Sequence, residues 1–219
     1  MGVIRQTSSE AWKEISKSPN ELMKAIALPS LLVILLELIP EQFMWSVVGQ
    51  IATTLVYAVL AIKIHRYVLL SDSERGAETR ASDLLHYIGW STAILVLIGI
   101  AMVATAWTGA FVLLVGFLPA FYITSRMSLI LPNRALGRRD SVAYLWKLSG
   151  NNGWKLTCVL LVPPMVIATL ISLATISFNE KLRALVFVTS AVPIIVFSIT
   201  LLSVAYRNLV EHAERSSHS

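Results

Sequence analysis

Arginine side chains at the ends of apolar segments are the part of this sequence best suited to binding a ligand. Arg66, Arg126 and Arg207 each stand at the end of a long apolar stretch. A guanidinium group donates hydrogen bonds in a planar fork that matches phosphate oxygens, so an anionic lipid headgroup is a candidate ligand. Three further arginines could extend the same surface: Arg134, Arg138 and Arg139. The competing interpretation is ordinary snorkelling of charged groups from helix ends to water.

No catalytic signature accompanies these arginines. The sequence has no HExxH, GxSxG or Walker motif, and its single cysteine cannot form an intramolecular disulfide. The four histidines are scattered, with none beside a carboxylate cluster: His65, His86, His212 and His218. We therefore predict no catalytic residues, no metal, no cofactor and no enzymatic activity.

The composition indicates that membrane helices position these groups. Hydrophobic residues make up 56% of the 219 and charged residues only 14%, below the roughly 25% of soluble domains. Between Tyr87 and Ser125 there is no Asp, Glu, Lys or Arg. One membrane span needs about 20 residues, so this stretch holds two helices and a turn. The predicted fold is an all-α integral membrane protein forming a single domain, 1–219.

Six spans are predicted, near 22–39, 43–63, 88–106, 109–130, 155–177 and 184–206, paired as three hairpins. All but Lys181 and Arg183 of the 18 lysines and arginines fall on one side of this arrangement. The positive-inside rule then places both termini of a multi-pass membrane protein in the cytoplasm. The amino-terminal segment lacks the short apolar core of a cleavable signal, so the first span is expected to remain as an anchor.

The three hairpins are predicted to be repeats, about 8–70, 80–131 and 140–210. Trp12 stands 17 residues before Pro29, and Trp146 stands 17 residues before Pro163. The alternative is that the hairpins resemble one another only because all membrane hairpins share general sequence requirements.

A short interfacial amphipathic helix is predicted before each hairpin. Ser9 could cap the first, Asp140 or Ser141 could cap the last, which would end at Gly150, and a shorter one could begin at Ser82. Tryptophan and lysine are typical of the headgroup region, which predicts these anchors: Trp12, Lys13, Trp146, Lys147 and Trp154. Anchoring alone and a surface for anionic lipid or a partner are both compatible with this pattern.

Five prolines fall within the predicted spans and are expected to kink their helices: Pro29, Pro119, Pro163, Pro164 and Pro193. The Pro163-Pro164 pair could instead break the fifth span. The central turns of the spans carry no ionisable residue, which argues against an ion-coupled transporter.

The segment SRMSLILPNRALGRRDSVAYLWKLSGNNGWKL, from Ser125 to Leu156, resembles a known family. It is similar to the YciC/UPF0259 group of bacterial inner-membrane proteins and to the membrane domain attached to some glycerophosphodiester phosphodiesterases. The matching residues are Arg126, Pro132, Ala143, Trp146, Ser149, Gly150, Asn151, Trp154 and Lys155. The resemblance implies a six-helix inner-membrane module; without a soluble phosphodiesterase domain, it implies no hydrolase activity.

Two classes of function remain. The first is a non-enzymatic membrane protein that acts through lipid or protein contacts, with anionic lipids, a protein partner or a second copy as partners, and no nucleic acid. The second is a transporter or channel for a neutral or amphipathic solute, lined by hydroxyl residues of the last two spans: Thr169, Ser172, Thr175, Thr189, Ser190 and Thr200.

Overall fold

The structure is a computed structural model that describes residues 2–37, 47–71, 74, 80–108 and 110–217. All regular secondary structure in these ranges is helical. The helices are α1 (Gly2–Lys17), α2 (Pro19–Glu37), α3 (Val47–Leu69), α4 (Ala81–Thr108), α5 (Ala110–Met127), α6 (Ile130–Ala135), α7 (Val142–Ser149), α8 (Gly153–Ala174) and α9 (Glu180–Ser217), with a 3₁₀ turn at Gly150–Asn152.

Five of these helices are long and apolar enough to cross a membrane: α2, α3, α4, α8 and α9. They lie where the first, second, third, fifth and sixth spans are predicted. The fourth predicted span, 109–130, overlaps α5, but residue 109 and the side chains of 110–117 lie outside the described residues. The all-helical class is therefore confirmed, whereas the count of six spans and the three hairpins remain predictions.

Helices α3 and α9 pack against each other at the centre of the bundle. Leu60 and Ile64 of α3 and Leu201 and Val204 of α9 are fully buried in one apolar core. Helices α1, α2 and α8 pack around this pair. A second core forms where α6 and α7 meet the beginning of α8 and the end of α9, around residues such as Leu129 and Leu145.

The five prolines all lie inside continuous helices. Pro29 is within α2, Pro119 within α5 and Pro193 within α9. Pro163 and Pro164 both lie within α8, which runs from Gly153 to Ala174 without interruption. A break of the fifth span at this pair is therefore excluded. Neighbouring packing lets membrane helices tolerate proline in this way.

Three predicted helix boundaries were wrong. The first amphipathic helix begins at Gly2, so Ser9 lies inside it and cannot be its cap. The segment from Ser82 is the beginning of the continuous helix α4 and not a separate interfacial helix. The last helix continues past 206 to Ser217, because the chain after Arg207 packs against α1.

The helix predicted before the last span is confirmed as α7. Ser141 caps it, since its hydroxyl accepts a hydrogen bond from the Tyr144 backbone N–H at 3.1 Å. Gly150 ends it with a φ of 33°, a conformation that favours glycine.

Candidate functional site

A cleft of about 540 Å³ lies where α1 meets the beginning of α8 and the end of α9. Leu156 and Val159 of α8 and Ala205 and Leu209 of α9 provide its apolar lining. Charged and polar residues from all three helices also line it, with Glu10 on α1, Lys155 on α8, and Glu211, His212 and Arg215 on α9. The cleft is thus amphipathic, as expected for a site that binds one polar group and one apolar group together.

Polar contacts hold α1 against the end of α9. The Arg207 guanidinium forms an ion pair with Glu14 at 2.8 Å, and both side chains are less than one-third exposed. One turn earlier on α1, Glu10 accepts a hydrogen bond from the Asn208 side-chain amide at 2.8 Å. Ala11, which lies between the two glutamates, is fully buried in the core. These contacts fix α1 as one wall of the cleft.

Arg126 fastens α5 to α7. Its Nε donates to Ser149 Oγ at 2.6 Å and its Nη1 donates to Tyr122 Oη at 3.0 Å. Its Nη2 donates to the Trp146 carbonyl in the last turn of α7. The guanidinium carbon also lies 3.9 Å from the centre of the Trp146 ring, a cation–π geometry.

Burial makes Arg126 poorly accessible to the lipid headgroup that the sequence predicted as its ligand. The residue is only 7% exposed, so little of its surface is left for a headgroup. A cation at a helix C-terminus also complements the partial negative charge there. The structure therefore explains Arg126 as a link between helices.

A second polar network joins α6 to α9. Asn133 is fully buried, and its amide nitrogen lies 2.7 Å from Asp140 Oδ2 and 3.1 Å from Tyr206 Oη. Arg134 donates to the Arg138 carbonyl at 2.7 Å and to the Asp140 carbonyl at 3.1 Å. Burial lowers the pKa of Arg134 from its ordinary value, opposed by the Asp140 carboxylate. Arg134 thus orders the loop between α6 and α7.

The remaining predicted cations differ in exposure. Arg66 is half-buried near the end of α3. Arg138 and Arg139, which follow the turn at Gly137, are both exposed. The structure therefore does not place the three recurring arginines in equivalent surroundings, since Arg126 contacts a carbonyl and aromatic rings whereas Arg207 contacts a carboxylate.

The predicted anchors are solvent-accessible to different degrees. Trp12 and Trp154 are 63% and 54% exposed, and Lys13 and Lys147 are also exposed. Trp146 is 36% exposed because Arg126 covers one face of its ring. The Trp154 and Tyr122 rings contact each other, with centres 4.8 Å apart and planes tilted by 40°. Exposure leaves Trp12 and Trp154 available to a headgroup layer.

His65 is a buried core residue, although it lies just beyond the second predicted span, 43–63. It is fully buried, and its Nδ1 lies 2.7 Å from Ser203 Oγ, while its Nε2 lies 3.3 Å from Tyr87 Oη. This contact network joins α3, α4 and α9. The sequence does not single out this network, because His65 lies between Lys63 and Arg66 and Ser203 is one of several hydroxyl residues on α9.

The hydroxyl residues suggested for a solute pathway bond mainly to their own helices. Thr175, Ser190 and Thr200 each donate to a carbonyl three or four residues earlier. Thr169 and Ser172 are exposed on α8. None of the six lines the cleft.

No family model, curated protein or solved structure matches this chain. The resemblance of the Ser125 to Leu156 segment therefore remains a prediction. Three of the matching residues contact one another in the structure: the Arg126 guanidinium donates hydrogen bonds to Ser149 Oγ and to the Trp146 carbonyl.

Proposed function

We propose that this chain is a non-enzymatic, polytopic protein of a bacterial inner membrane that acts through contacts with lipid and with other proteins. It spans the membrane six times, as three hairpins, with both termini in the cytoplasm. Its basic face recognises anionic lipid. This is the function of an accessory component of a membrane assembly.

The membrane location is supported by five long apolar helices with many exposed apolar side chains. On α8, Met165, Val166, Leu170 and Leu173 are each at least half exposed. Such a continuous apolar surface is unfavourable in water and favourable in lipid.

The observation that carries the lipid contact is the exposed pair Arg138 and Arg139, beside the amphipathic helix α7. Unlike Arg126 and Arg207, whose guanidinium groups contact protein atoms, these two side chains are exposed to the surroundings. Each basic residue near an anionic surface contributes about 1 kcal/mol of binding. The anionic-lipid surface is thus assigned to Arg138 and Arg139, with Lys147 on the same segment.

The transporter alternative has weaker support. Its hydroxyl residues either bond to their own helix backbone or lie exposed on α8, and the described cleft is lined by other residues. The lipid-contact function is the better supported of the two.

Lipid retained by the purified full chain tests the proposal. We expect Arg138→Gln and Arg139→Gln each to lower retained anionic lipid about fivefold, which corresponds to one basic residue near the surface. Arg183→Gln is the matched control, since Arg183 is also exposed but lies on the side predicted to be external. Equal retention in all four proteins, or an equal loss in the control, would overturn the anionic-lipid surface. A protein that co-purifies in a fixed ratio would identify the partner.

A further inference from the structure

The cleft between α1, α8 and α9 contains two opposite charges that its own residues do not neutralise. It shares no residue with the Arg138 and Arg139 surface. A ligand bound in this cleft would therefore be a function beyond the proposed one, and it depends only on a membrane setting.

Glu10 supplies the negative charge. Its Oε1 accepts from the Gln6 amide at 3.1 Å and its Oε2 accepts from the Asn208 amide at 2.8 Å. Both donors are neutral, so they orient the carboxylate without cancelling its charge. Each carboxylate oxygen has two lone pairs, which leaves Glu10 able to accept further hydrogen bonds from a ligand.

Lys155 supplies the positive charge. It lies on α8 within the cleft lining and is exposed. Among the residues that the structure describes, it forms no ion pair, and it does not reach Glu10. An ammonium group is a strong point charge for a phosphate oxygen.

The other two charged residues in the lining compensate each other. Arg215 and Glu211 form an ion pair at 3.1 Å, one turn apart on α9. The cleft therefore has no net formal charge from its acids and lysine or arginine residues, but it holds a separated negative and positive charge at Glu10 and Lys155. An anion alone would satisfy only one of them.

The apolar part of the lining indicates that the polar group of the ligand is attached to a hydrocarbon chain. Leu156, Val159, Ala205 and Leu209 offer a surface for hydrocarbon beside the charges. Burying one methylene contributes about 0.8 kcal/mol. A volume of about 540 Å³ is within the roughly 300–1,000 Å³ range of small-molecule sites.

We propose that this cleft binds one phospholipid whose headgroup carries a phosphate and a primary ammonium group. Lys155 contacts the phosphate, Glu10 accepts hydrogen bonds from the ammonium, and the apolar lining contacts the first part of an acyl chain. A quaternary ammonium cannot donate hydrogen bonds to Glu10, so a primary amine is the preferred headgroup.

Native mass spectrometry of the full chain, in micelles containing phosphatidylethanolamine, phosphatidylcholine or phosphatidylglycerol, tests this assignment. In the Arg138→Gln/Arg139→Gln background, which lacks the proposed anionic-lipid surface, one retained phosphatidylethanolamine per chain is expected, in preference to the other two lipids. Glu10→Gln should lower its retention about tenfold and remove the preference, and Lys155→Gln should lower retention by a similar factor, since each loses a charge-assisted hydrogen bond.

Two matched variants separate the charge effect from loosening of α1 and from general loss of charge. Glu14→Gln breaks the ion pair with Arg207, but Glu14 does not line the cleft and the hydrogen bond between Asn208 and Glu10 still holds α1. Lys17→Gln removes an exposed lysine outside the cleft. Both should retain phosphatidylethanolamine as the wild type does. Thermal melting shows whether each variant is folded, and Lys155→Gln, at an exposed residue, keeps the test informative if Glu10→Gln unfolds.

Three outcomes would overturn the assignment. Phosphatidylglycerol retained as well as phosphatidylethanolamine, with no change in Glu10→Gln, would show a simple phosphate site. Unchanged retention in Lys155→Gln would show that the lipid binds elsewhere. Free phosphoethanolamine that binds as tightly as the lipid would show that the apolar lining contributes nothing. None of these results bears on the Arg138 and Arg139 surface, because both arginines are replaced in this background and their surface is tested separately with anionic lipid.

Discussion

The central helices α3 and α9 and the peripheral helices α4 and α8 are built on different principles. In the apolar windows of α9 and α3, 44% and 39% of the residues are buried, compared with 17% in α8 and 11% in α4. Yet α8 is the most apolar of these four helices. The hydrophobicity of a helix therefore does not show whether it is central or peripheral.

The polar residues within the spans mark the centre instead. His65, Thr200 and Ser203 are at most 1% exposed, and they all lie on α3 or α9. Lipid chains are as apolar as a protein core, so burial of leucine gains little over contact with lipid, whereas a polar group in lipid is costly. The most deeply buried polar side chains of the described spans therefore lie on the two central helices.

The largest expected difference between the central and the peripheral helices is the effect of a cavity on the free energy of unfolding. Leu201 on α9 is fully buried, so we expect Leu201→Ala to lower the free energy of unfolding by about 4 kcal/mol. Leu170 on α8 is 60% exposed, and Leu170→Ala should cost less than about 0.5 kcal/mol. Unfolding by denaturant in mixed micelles measures both. Equal losses would mean that α8 is covered by a partner or a second copy.

A second test concerns the contacts that hold α5 and α7 together outside the central pair of helices. Arg126→Ala removes two hydrogen bonds that fasten α5 to α7 and a third within α5, and we expect a loss of about 3 kcal/mol in the free energy of unfolding. Arg126→Lys should recover only part of this loss, because an ammonium lacks the planar fork. Arg139→Ala, at an exposed arginine, should leave the stability unchanged. A harmless Arg126→Ala would show that α7 is held by apolar packing alone.

A close approach between α5 and the beginning of α8 gives a third test. A Cβ at Gly153 would lie 2.6 Å from the Tyr122 ring, so Gly153→Ala should cost about 2 kcal/mol. Gly99 on α4 has no neighbouring atom within 4 Å of such a Cβ. Gly99→Ala should therefore stabilise the protein slightly, by about 0.5 kcal/mol, through helix propensity. Thermal melting of the two variants should show shifts of opposite sign; shifts of the same sign would contradict the close approach.

The smallest expected effect concerns the polar centre itself. Ser203→Ala removes the hydroxyl that contacts His65 Nδ1, and we expect a loss of about 1 kcal/mol in unfolding free energy. Ser198 on the same helix donates to the Ile194 carbonyl of its own helix at 2.7 Å. Ser198→Ala should have less than half the effect. If both substitutions lower the free energy of unfolding equally, the His65 contact adds no stability to the central pair.

The sequence predicted the helices well because long apolar stretches directly report the requirement for a membrane span. The positions of α2, α3, α4, α8 and α9 follow from hydropathy, and the beginning of α7 follows from the local hydrogen bond of Ser141. The end of α9 was missed because its last turns are amphipathic and are held by α1, a partner distant in sequence.

The candidate site was harder to predict, because the sequence around an arginine does not show whether its guanidinium binds a ligand or another helix. Nothing near Arg207 in sequence indicates Glu14, and nothing near Arg126 shows that its guanidinium covers the Trp146 ring. The cleft was missed for the same reason: Glu10, Lys155 and Arg215 become neighbours only through tertiary packing.

The ion pair between Glu14 and Arg207 also constrains the timing of assembly, since 193 residues separate its partners. At a synthesis rate of about 5–20 residues per second, α1 emerges roughly 10–40 s before its partner segment of α9. During that interval α1 has no surface of α9 against which to settle, and the cleft lacks the wall that α9 provides. Although α1 is made well before α9, it can dock against α9 only after α9 has been inserted.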